Sequence, residues 1–302
     1  MLALDAREGH SFQIGVVRRC TVLRLSAFAA DPTGGNPAGV VLDAESLGDA
    51  DMQAIAAEVG YAETAFVIGS GVSSEGSRHR IRYFSPIAEV PFCGHATVAT
   101  AVALAERDGT GAIAFDTPVG EVLIETRERD GAVWASFTSV APWVGPIEVD
   151  VLDRLLRLLG VDRSDLRSDL PPRVAFAGNR HPVLVFADAA TFDGFVFDPT
   201  SVRELMDEQG WSGTVTTAVE LERGTFETRN LFPVGAITED PATGSAAAAL
   251  GAYVREFGAI EVPGRLVVHQ GRHVARASVL LVDVPVDGGL VVTGSASTIP
   301  SD

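Results

Sequence analysis

The chain has 302 residues, with 23 basic and 40 acidic side chains and a formal net charge of −17. Every basic residue is arginine, which excludes mechanisms that need an ε-amine: a pyridoxal-phosphate Schiff base, a lysine nucleophile and a phosphate-binding lysine. The acidic balance argues against nucleic-acid and anionic-membrane partners, since both need a basic face. A small anionic substrate remains compatible, because one local site can be positive within an acidic protein.

Cysteine and histidine usage gives no sign of a metal site. The two cysteines, Cys20 and Cys93, form neither a disulfide framework nor a metal-ligand spacing, and the six histidines show no HxxxH or HExxH pattern. We therefore predict no metal and no cofactor. Apolar stretches such as 96–105 fall far short of the ~20 residues that span a bilayer, and residues 1–20 lack the apolar core of a secretory signal. These features predict a cytoplasmic protein without a membrane partner.

The first half of the chain alternates strands with helices. Residues 1–20 have weak periodicity and are predicted to form an N-terminal extension. Residues 50–59 carry apolar side chains at helical spacing, and Gly60 suits the end of that helix. Period-two patterns predict strands at 21–29, 39–43, 64–68, 78–84, 113–115, 121–126 and 133–137, with a turn at 31–37.

Two predicted helices, at 94–107 and 243–257, are apolar on all sides, which indicates burial on every face. Their layouts are similar. Each follows a proline-containing turn, starts at a glycine (Gly94 and Gly244), and ends in an arginine-bearing turn followed by another glycine. The two glycines lie 150 residues apart, which indicates a weak internal duplication with one buried helix per domain.

The second half has the same mixture of elements. A proline and tryptophan turn at 141–143 is predicted to be a linker, and apolar spacing predicts helices at 149–159 and 200–209. Strands are predicted at 174–176, 183–186, 214–221, 225–232, 266–269, 278–284 and 290–293. The pattern predicts an α+β fold with one domain formed by 21–140 plus 295–302 and a second formed by 141–294.

The starts of the two buried helices are candidate anion sites. Free backbone N–H groups and the positive end of the helix dipole point outward there, and glycine allows a ligand to approach the backbone. Two such starts, facing each other across a domain cleft, could hold a carboxylate without any lysine. The candidate residues there are Cys93, Gly94 and His95, and Asp240, Thr243, Gly244 and Ser245. The alternative is that Asp240, Thr243 and Ser245 are only N-caps.

Glu63, His95 and Cys93 are candidates for proton chemistry. Glu63 lies between a helix end and an apolar strand, where partial desolvation would favour a general base, although an exposed glutamate is the ordinary alternative. His95 lies in the first turn of a helix, which disfavours the imidazolium, although most single histidines are structural. The thiol of Cys93 adjoins a helix start, although most single cysteines only pack.

Six motifs occur in the order found in the phenazine biosynthesis PhzF-like family. They are GNPA at 35–38, AETAF at 62–66, RYFSP at 82–86, CGHAT at 93–97, Arg229 with FP at 232–233, and EDPATGSA at 239–246. The resemblance extends from about Thr21 to the last strand, and EDPATGSA is its most specific segment. It implies a diaminopimelate epimerase-like fold. In that fold, two similar domains each wrap a curved, mostly antiparallel sheet around a central buried helix, and the active site lies between them.

The resemblance also implies a function. Characterised members are cofactor-independent isomerases in which a glutamate removes a carbon-bound proton and returns it elsewhere, moving double bonds in a cyclic amino acid. Glu63 matches that acid/base residue. His95, Asp240 and Ser245 match residues around the substrate, and Gly94 and Gly244 match its backbone donors. We therefore predict an isomerase of a small, anionic, cyclic amino-acid-derived carboxylate in secondary metabolism, with a possible homodimer.

Departures from the family pattern leave alternatives open. Ala62 stands where the phenazine enzyme has a serine. Cys93 matches one of the two catalytic cysteines of the epimerase, but the second half offers Asp240 instead of the other, which excludes a two-thiol racemase. An epimerase or racemase that uses Glu63 with Cys93 remains an alternative. A ligand-binding protein without turnover is the third.

Overall fold

The computed structural model describes residues 10–14, 18–73, 76–235 and 237–300. The chain groups into two compact units. Unit 1 comprises Met1–Ala27, Pro37–Ala135 and Ser295–Asp302, and unit 2 comprises Phe28–Asn36 and Ser136–Gly294. Of the N-terminal extension predicted at 1–20, residues 1–9 and 15–17 lie outside the described residues. No helix in the described part of the chain has the length and apolar character needed to cross a membrane.

Unit 1 holds the first buried helix. Its helices are α1 (Asp49–Val59) and α2 (Gly94–Asp108). Its strands are β1 (His10–Ile14), β2 (Arg18–Ala27), β3 (Asn36–Val41), β4 (Glu63–Ser73), β5 (Gly76–Phe84), β6 (Glu89–Val90), β7 (Ala112–Thr117), β8 (Gly120–Arg129) and β9 (Ala132–Thr138). β3 and β9 each include a unit boundary. Helix α2 packs against β2, β4 and β8, and it is buried from His95 to Ala105.

Unit 2 holds the second buried helix. Its helices are α3 (Val149–Leu159), α4 (Ala189–Gly194), α5 (Pro199–Gln209) and α6 (Gly244–Glu256). Its strands are β10 (Trp143–Pro146), β11 (Arg173–Phe176), β12 (Arg180–Phe186), β13 (Val215–Glu222), β14 (Thr225–Leu231), β15 (Glu239–Asp240), β16 (Gly264–Gln270), β17 (Ser278–Val284) and β18 (Val291–Thr298), the last of which ends in unit 1. Helix α6 packs against β10, β11, β12 and β17.

The strand pairings repeat from one unit to the other. In unit 1, β3 is parallel to β4, β4 antiparallel to β5, β5 parallel to β7, and β7 antiparallel to β8. In unit 2, β12, β13, β14, β16 and β17 follow the same sequence of parallel and antiparallel pairings. A two-residue strand precedes each buried helix, β6 on β5 and β15 on β14. The fold is therefore α+β with mixed sheets, and the repeated order is that expected of a duplicated element set.

Each unit also has a core that its amphipathic helices help to build. In unit 1, Met52, Ile55 and Val59 of α1 pack with Phe66 and Phe84. In unit 2, four leucines of α3 pack with side chains of β12, α4 and α5; these leucines are Leu152, Leu155, Leu156 and Leu159. Both clusters are fully apolar, so the sheets are fixed beneath the polar residues at the helix starts.

The predicted helices are confirmed within one or two residues at each end. The structure adds strands that the sequence pattern did not show, among them β1, β6, β10 and β15. Trp143, predicted to lie in a linker turn, begins β10, and its ring stacks on Phe176 with centroids 5.6 Å apart. The apolar contact favours a strand there despite the neighbouring proline.

Candidate active site

Local structure brings three predicted residues of unit 1 together. Helix α1 ends at Gly60, whose left-handed backbone (φ 71°) turns the chain into β4, and Glu63 is the first residue of that strand. β6 returns along β5 to the start of α2, where Cys93 is the N-cap residue in an extended conformation. His95 follows two residues later. The glutamate and the helix start therefore meet at one end of the sheet.

Glu63, Cys93 and His95 form a closed set of short contacts. The Cys93 thiol donates to Glu63 Oε2 over 3.5 Å, and Sγ lies 3.3 Å from His95 Nδ1. The other imidazole nitrogen, Nε2, lies 3.4 Å from Glu63 Oε2. The side chains of His95 and Glu63 are 7 % and 19 % exposed. A reachable carboxylate is thus backed by two buried groups that can each exchange a proton with it.

Two hydroxyls hold the Cys93 backbone in place. Thr97 Oγ1 donates to the Cys93 carbonyl oxygen over 2.7 Å. Because that proton is committed, Tyr83 donates its own hydroxyl proton to Thr97 Oγ1, over 2.6 Å. Burial raises the pKa of Tyr83, so its hydroxyl remains a donor. The thiol is therefore fixed through its own backbone by a buried tyrosine on β5.

The ligand atoms of Glu63, Cys93 and His95 lie within 4.8 Å of one another, a spacing at which a metal ion could bind. The thiol is nearest to Nδ1 (3.3 Å, against 3.8 Å to Nε2), whereas the carboxylate contacts Nε2. One ion bound by one imidazole nitrogen would therefore require the ring to turn away from one of its neighbours. The observed arrangement is that of a proton-exchanging network.

In unit 2, Asp240 is held by uncharged donors. Its Oδ1 accepts from Asn36 Nδ2 over 2.7 Å, and its Oδ2 accepts from Thr243 Oγ1. Asn36 Nδ2 also donates to the carbonyl of Ala242, and Gln270 Nε2 donates to the backbone oxygen of Asp240. The Asp240 residue is 8 % exposed. A nearly buried carboxylate without an arginine among these donors can accept a substrate cation such as an ammonium group.

Thr243 occupies the N-cap position of α6 but makes no side-chain cap hydrogen bond. Its hydroxyl donates to Asp240 instead, and its backbone N–H donates to Gln270 Oε1 over 3.1 Å. The simple N-cap alternative is therefore wrong for Thr243. Its side chain is used to orient the aspartate.

The starts of α2 and α6 have the same backbone arrangement. The first intrahelical bonds are Thr97 N–H to Cys93 and Ala247 N–H to Thr243, each 3.0 Å long. The three amides preceding each of these donors have no intrahelical acceptor, because a helix cannot supply one. Gly94 and Gly244 provide the first of these amides, so both predicted backbone donors lie where an anion would find them.

Ser245 contacts a residue that the sequence analysis did not single out. Its Oγ lies 3.1 Å from Nε2 of His181, a fully buried histidine on β12. The other ring nitrogen, Nδ1, accepts from the backbone N–H of Thr214 over 3.0 Å. Burial lowers the pKa of His181 to about 4, against a weaker opposing effect of the Thr214 carbonyl.

Arg229, one of the motif residues, supports the site from below. It is buried, and it pairs with Glu239 at 2.7 Å, next to Asp240 on β15. It also donates to the carbonyls of Phe192 and Phe195 and lies over the Phe195 ring. Its role is to fix β15 and the loop that leads to α6.

The structure thus places the predicted residues in two sets, one in each unit. Glu63, Cys93, Gly94 and His95 lie together in unit 1, and Asp240, Thr243, Gly244 and Ser245 lie together in unit 2. Sequence reasoning missed three residues as site residues: Asn36, His181 and Gln270. The GNPA motif was a signal for Asn36. His181 and Gln270 had none, because each is one buried polar residue on a strand.

Comparison with known proteins identifies the class. A family model for phenazine biosynthesis-like protein (PhzC-PhzF) matches residues 25–301. The chain is 31% identical over 273 residues to the uncharacterized isomerase YddE of Escherichia coli strain K12, covering 88% of this chain and 90% of that protein. It is 31% identical over 261 residues to trans-2,3-dihydro-3-hydroxyanthranilate isomerase of Pseudomonas fluorescens, covering 85% and 87%.

A solved structure gives the same result. The crystal structure of the Bacillus anthracis phenazine biosynthesis protein of the PhzF family superposes with a TM-score of 0.79, at 25% identity, over 92% of this chain and 96% of that one. The chain belongs to the phenazine biosynthesis-like (PhzF) family, as the motifs predicted. The relatives named as isomerases also show the predicted enzyme class, an isomerase.

Proposed function

We propose that the protein is a cofactor-independent isomerase of a small, cyclic, amino-acid-derived carboxylate, in which Glu63 removes a carbon-bound proton and returns it to another carbon. The observation that carries this proposal is the contact of the Glu63 carboxylate with His95 and Cys93 at the start of α2. Trans-2,3-dihydro-3-hydroxyanthranilate, named for the Pseudomonas relatives, is the first substrate to test.

The reaction needs no external reagent. The carboxylate of Glu63 takes a proton from a ring carbon, the electron pair of that C–H bond enters the conjugated system, and a double bond moves. The protonated Glu63 then returns the proton to a second carbon, which restores the carboxylate. His95 stabilises or relays the proton through Nε2, which lies 3.4 Å from the carboxylate.

Residues of unit 2 supply binding groups in this proposal. Asp240, accepting from Asn36 and Thr243, is placed to receive the substrate's amine. Ser245 and the helix-start amides of Gly94 and Gly244 are donors for its carboxylate. Such a site binds an anion without a lysine, as the composition requires.

The test is turnover in D₂O followed by NMR. The wild type is expected to convert the substrate with a shifted double bond, and Glu63→Gln to lose turnover while still binding ligand. Glu58→Gln, an exposed glutamate on α1, is the matched control and should keep full activity. An unchanged rate in Glu63→Gln would overturn the assignment.

A two-base epimerase with Glu63 and Cys93 is the second candidate, and the geometry disfavours it. Two bases on opposite faces of a stereocentre each lie about 3–3.5 Å from the carbon, which places them roughly 6–7 Å apart. Cys93 Sγ and Glu63 Oε2 are only 3.5 Å apart. Cys93→Ala distinguishes the two: it should retain double-bond migration, whereas an epimerase would lose activity.

A binding protein without turnover is the remaining alternative. It predicts ligand binding with no deuterium incorporation from D₂O in any condition, and with no difference between wild type and Glu63→Gln. Deuterium incorporation that depends on Glu63 would exclude it.

A further inference from the structure

His181 is the one fully buried histidine among the described residues, and it lies on an otherwise apolar stretch of β12. A buried imidazole needs a partner for each nitrogen. Its partners are the Thr214 backbone on one side and the Ser245 hydroxyl on the other, all within unit 2.

The hydrogen bonds fix which nitrogen carries the proton. A backbone N–H can only donate, so the contact from Thr214 N–H makes Nδ1 an acceptor. A neutral imidazole then carries its single proton on Nε2. That proton points at Ser245 Oγ, 3.1 Å away. His181 is therefore the donor and Ser245 the acceptor.

The surroundings keep the ring in this position. Thr214 donates its hydroxyl to Asn230 Oδ1 over 3.0 Å, which fixes the residue that donates to Nδ1. Gly213 lies directly against the ring, and a Cβ there would come within 2.4 Å of His181 Cε1. The ring is thus confined by a glycine that leaves no room for a side chain.

The consequence falls on Ser245, the second residue of α6. Its oxygen already accepts one hydrogen bond, so its own hydroxyl proton is available to a ligand. The residue is half-buried, and its backbone N–H lies among the helix-start amides that have no intrahelical acceptor. Two donors, one hydroxyl and one amide, therefore point outward at the same residue.

We propose that His181 is a positioning residue that makes Ser245 a hydrogen-bond donor, and that the ligand group bound at Ser245 is an oxygen acceptor, a carboxylate in preference to a carboxamide. The ligand class rests on the proposed function; the tautomer of His181 does not. The preference arises because a carboxamide presents an NH₂ group that the Ser245 hydroxyl and amide protons would face unfavourably.

The tautomer is tested directly by ¹⁵N NMR of histidine-labelled protein. The His181 shifts are expected to be those of the Nε2–H form, unchanged between about pH 5.5 and 8. Shifts of the Nδ1–H form, or titration within this range, would overturn the proposal whatever the enzyme turns over.

The coupling is tested by calorimetry with 3-hydroxyanthranilate and its carboxamide as probes. The wild type should bind the carboxylate more tightly, and His181→Phe should weaken it about tenfold or more, the value of a hydrogen bond to a charged group. In the Ser245→Ala background the same change should have no further effect. An equal loss in both backgrounds, no carboxylate preference, or no carboxylate binding would overturn the proposal.

A second variant guards against misfolding, since His181→Phe leaves the Thr214 N–H without its acceptor. His181→Gln offers an amide that can donate to Ser245 and should restore carboxylate binding toward the wild-type value; no restoration in a folded variant would contradict the donor role. Failure of the isomerase proposal has a different signature: Glu63→Gln would keep its rate, while the tautomer and the carboxylate preference would stand.

Discussion

Asn36 and Asp240 are separated by 204 positions in the chain and joined by one hydrogen bond of 2.7 Å, from a buried amide to a nearly buried carboxylate. This pairing explains why the GNPA and EDPATGSA motifs occur together. The amide lets the carboxylate stay ionised without a cation beside it, so Asp240 retains its charge for a ligand.

Replacing Asn36 by Asp tests this pairing. Two carboxylates at this distance cannot both ionise, so the pair binds a proton in the folded state with a pKa raised above the unfolded value of about 3.9. Stability from a raised pKa is fully present below the unfolded pKa and is lost as pH rises through the folded pKa. The urea midpoint of Asn36→Asp should therefore approach that of the wild type near pH 4 and fall behind it toward pH 7.

Asn36→Ala is the control for that experiment. It removes the donor without adding a titrating group, so its deficit should be about 1–3 kcal/mol and should vary much less with pH. A deficit of Asn36→Asp that stays constant with pH would contradict the pairing.

Single residues also show where sequence reasoning ends. Glu63 and Asp240 were found because each belongs to a motif. His181 was not, because the property that makes it functional is a contact with Ser245, 64 positions away, and its strand neighbours predict only a buried strand. Long-range contacts of this kind leave no local period.

At the scale of elements, helix α5 begins with a well-formed cap. Asp198 accepts from the Ser201 N–H over 2.9 Å and from the Ser201 hydroxyl over 2.6 Å, and Pro199 follows it at the first helical position. These hydrogen bonds, the side-chain bond first, lower the pKa of Asp198. The opposite face of α5 packs Val202, Leu205 and Met206 into the unit 2 core.

Asp198→Ala is expected to destabilise the protein at neutral pH. A carboxyl with a lowered pKa stabilises the fold above its unfolded pKa, and this contribution is lost as pH falls through the folded pKa. The difference in urea midpoint between wild type and Asp198→Ala should therefore shrink in acid. Asp198→Asn keeps an acceptor but does not titrate, so its advantage over alanine should persist; a wild-type advantage that also persisted would contradict the assignment.

Elements differ in how well the sequence predicts them. Helices α2 and α6 were predicted closely because long runs of small apolar residues admit few other structures. β6 and β15 were missed because two residues cannot show a period, yet they place Cys93 and Asp240. The elements that position the site are thus among those with the weakest sequence signal.

At the scale of the whole molecule, arginine is the partner in every Lys/Arg-type ion pair, since the chain has no lysine. Hydrogen bonds from Arg82, Arg167 and Arg154 lower the carboxyl pKa values of their partners, which are Glu89, Asp169 and Glu208. Such pairs stabilise the fold above the carboxyl range, and this contribution is lost in acid. The basic partners stay charged well beyond neutral pH, because arginine does not deprotonate below about pH 12.

The alkaline limit of stability should therefore come from buried neutral groups. No lysine titrates near its usual pKa of about 10.4, whereas burial raises the pKa values of Tyr83, Tyr253 and Cys20. A raised pKa gives stability that is lost as pH rises, because the unfolded chain ionises first. The urea midpoint is expected to be nearly constant from about pH 7 to 8.5 and to fall above about pH 10.

Tyr253→Phe tests the assignment of that alkaline fall. The variant loses the hydrogen bond from the Tyr253 hydroxyl to the Pro171 carbonyl (2.9 Å), which should cost about 1 kcal/mol at neutral pH. It also removes one group that must stay neutral in the fold, so its stability should decline less steeply than that of the wild type above about pH 10. Parallel declines in the two proteins would show that a different group sets the limit, because a phenylalanine has no proton to lose.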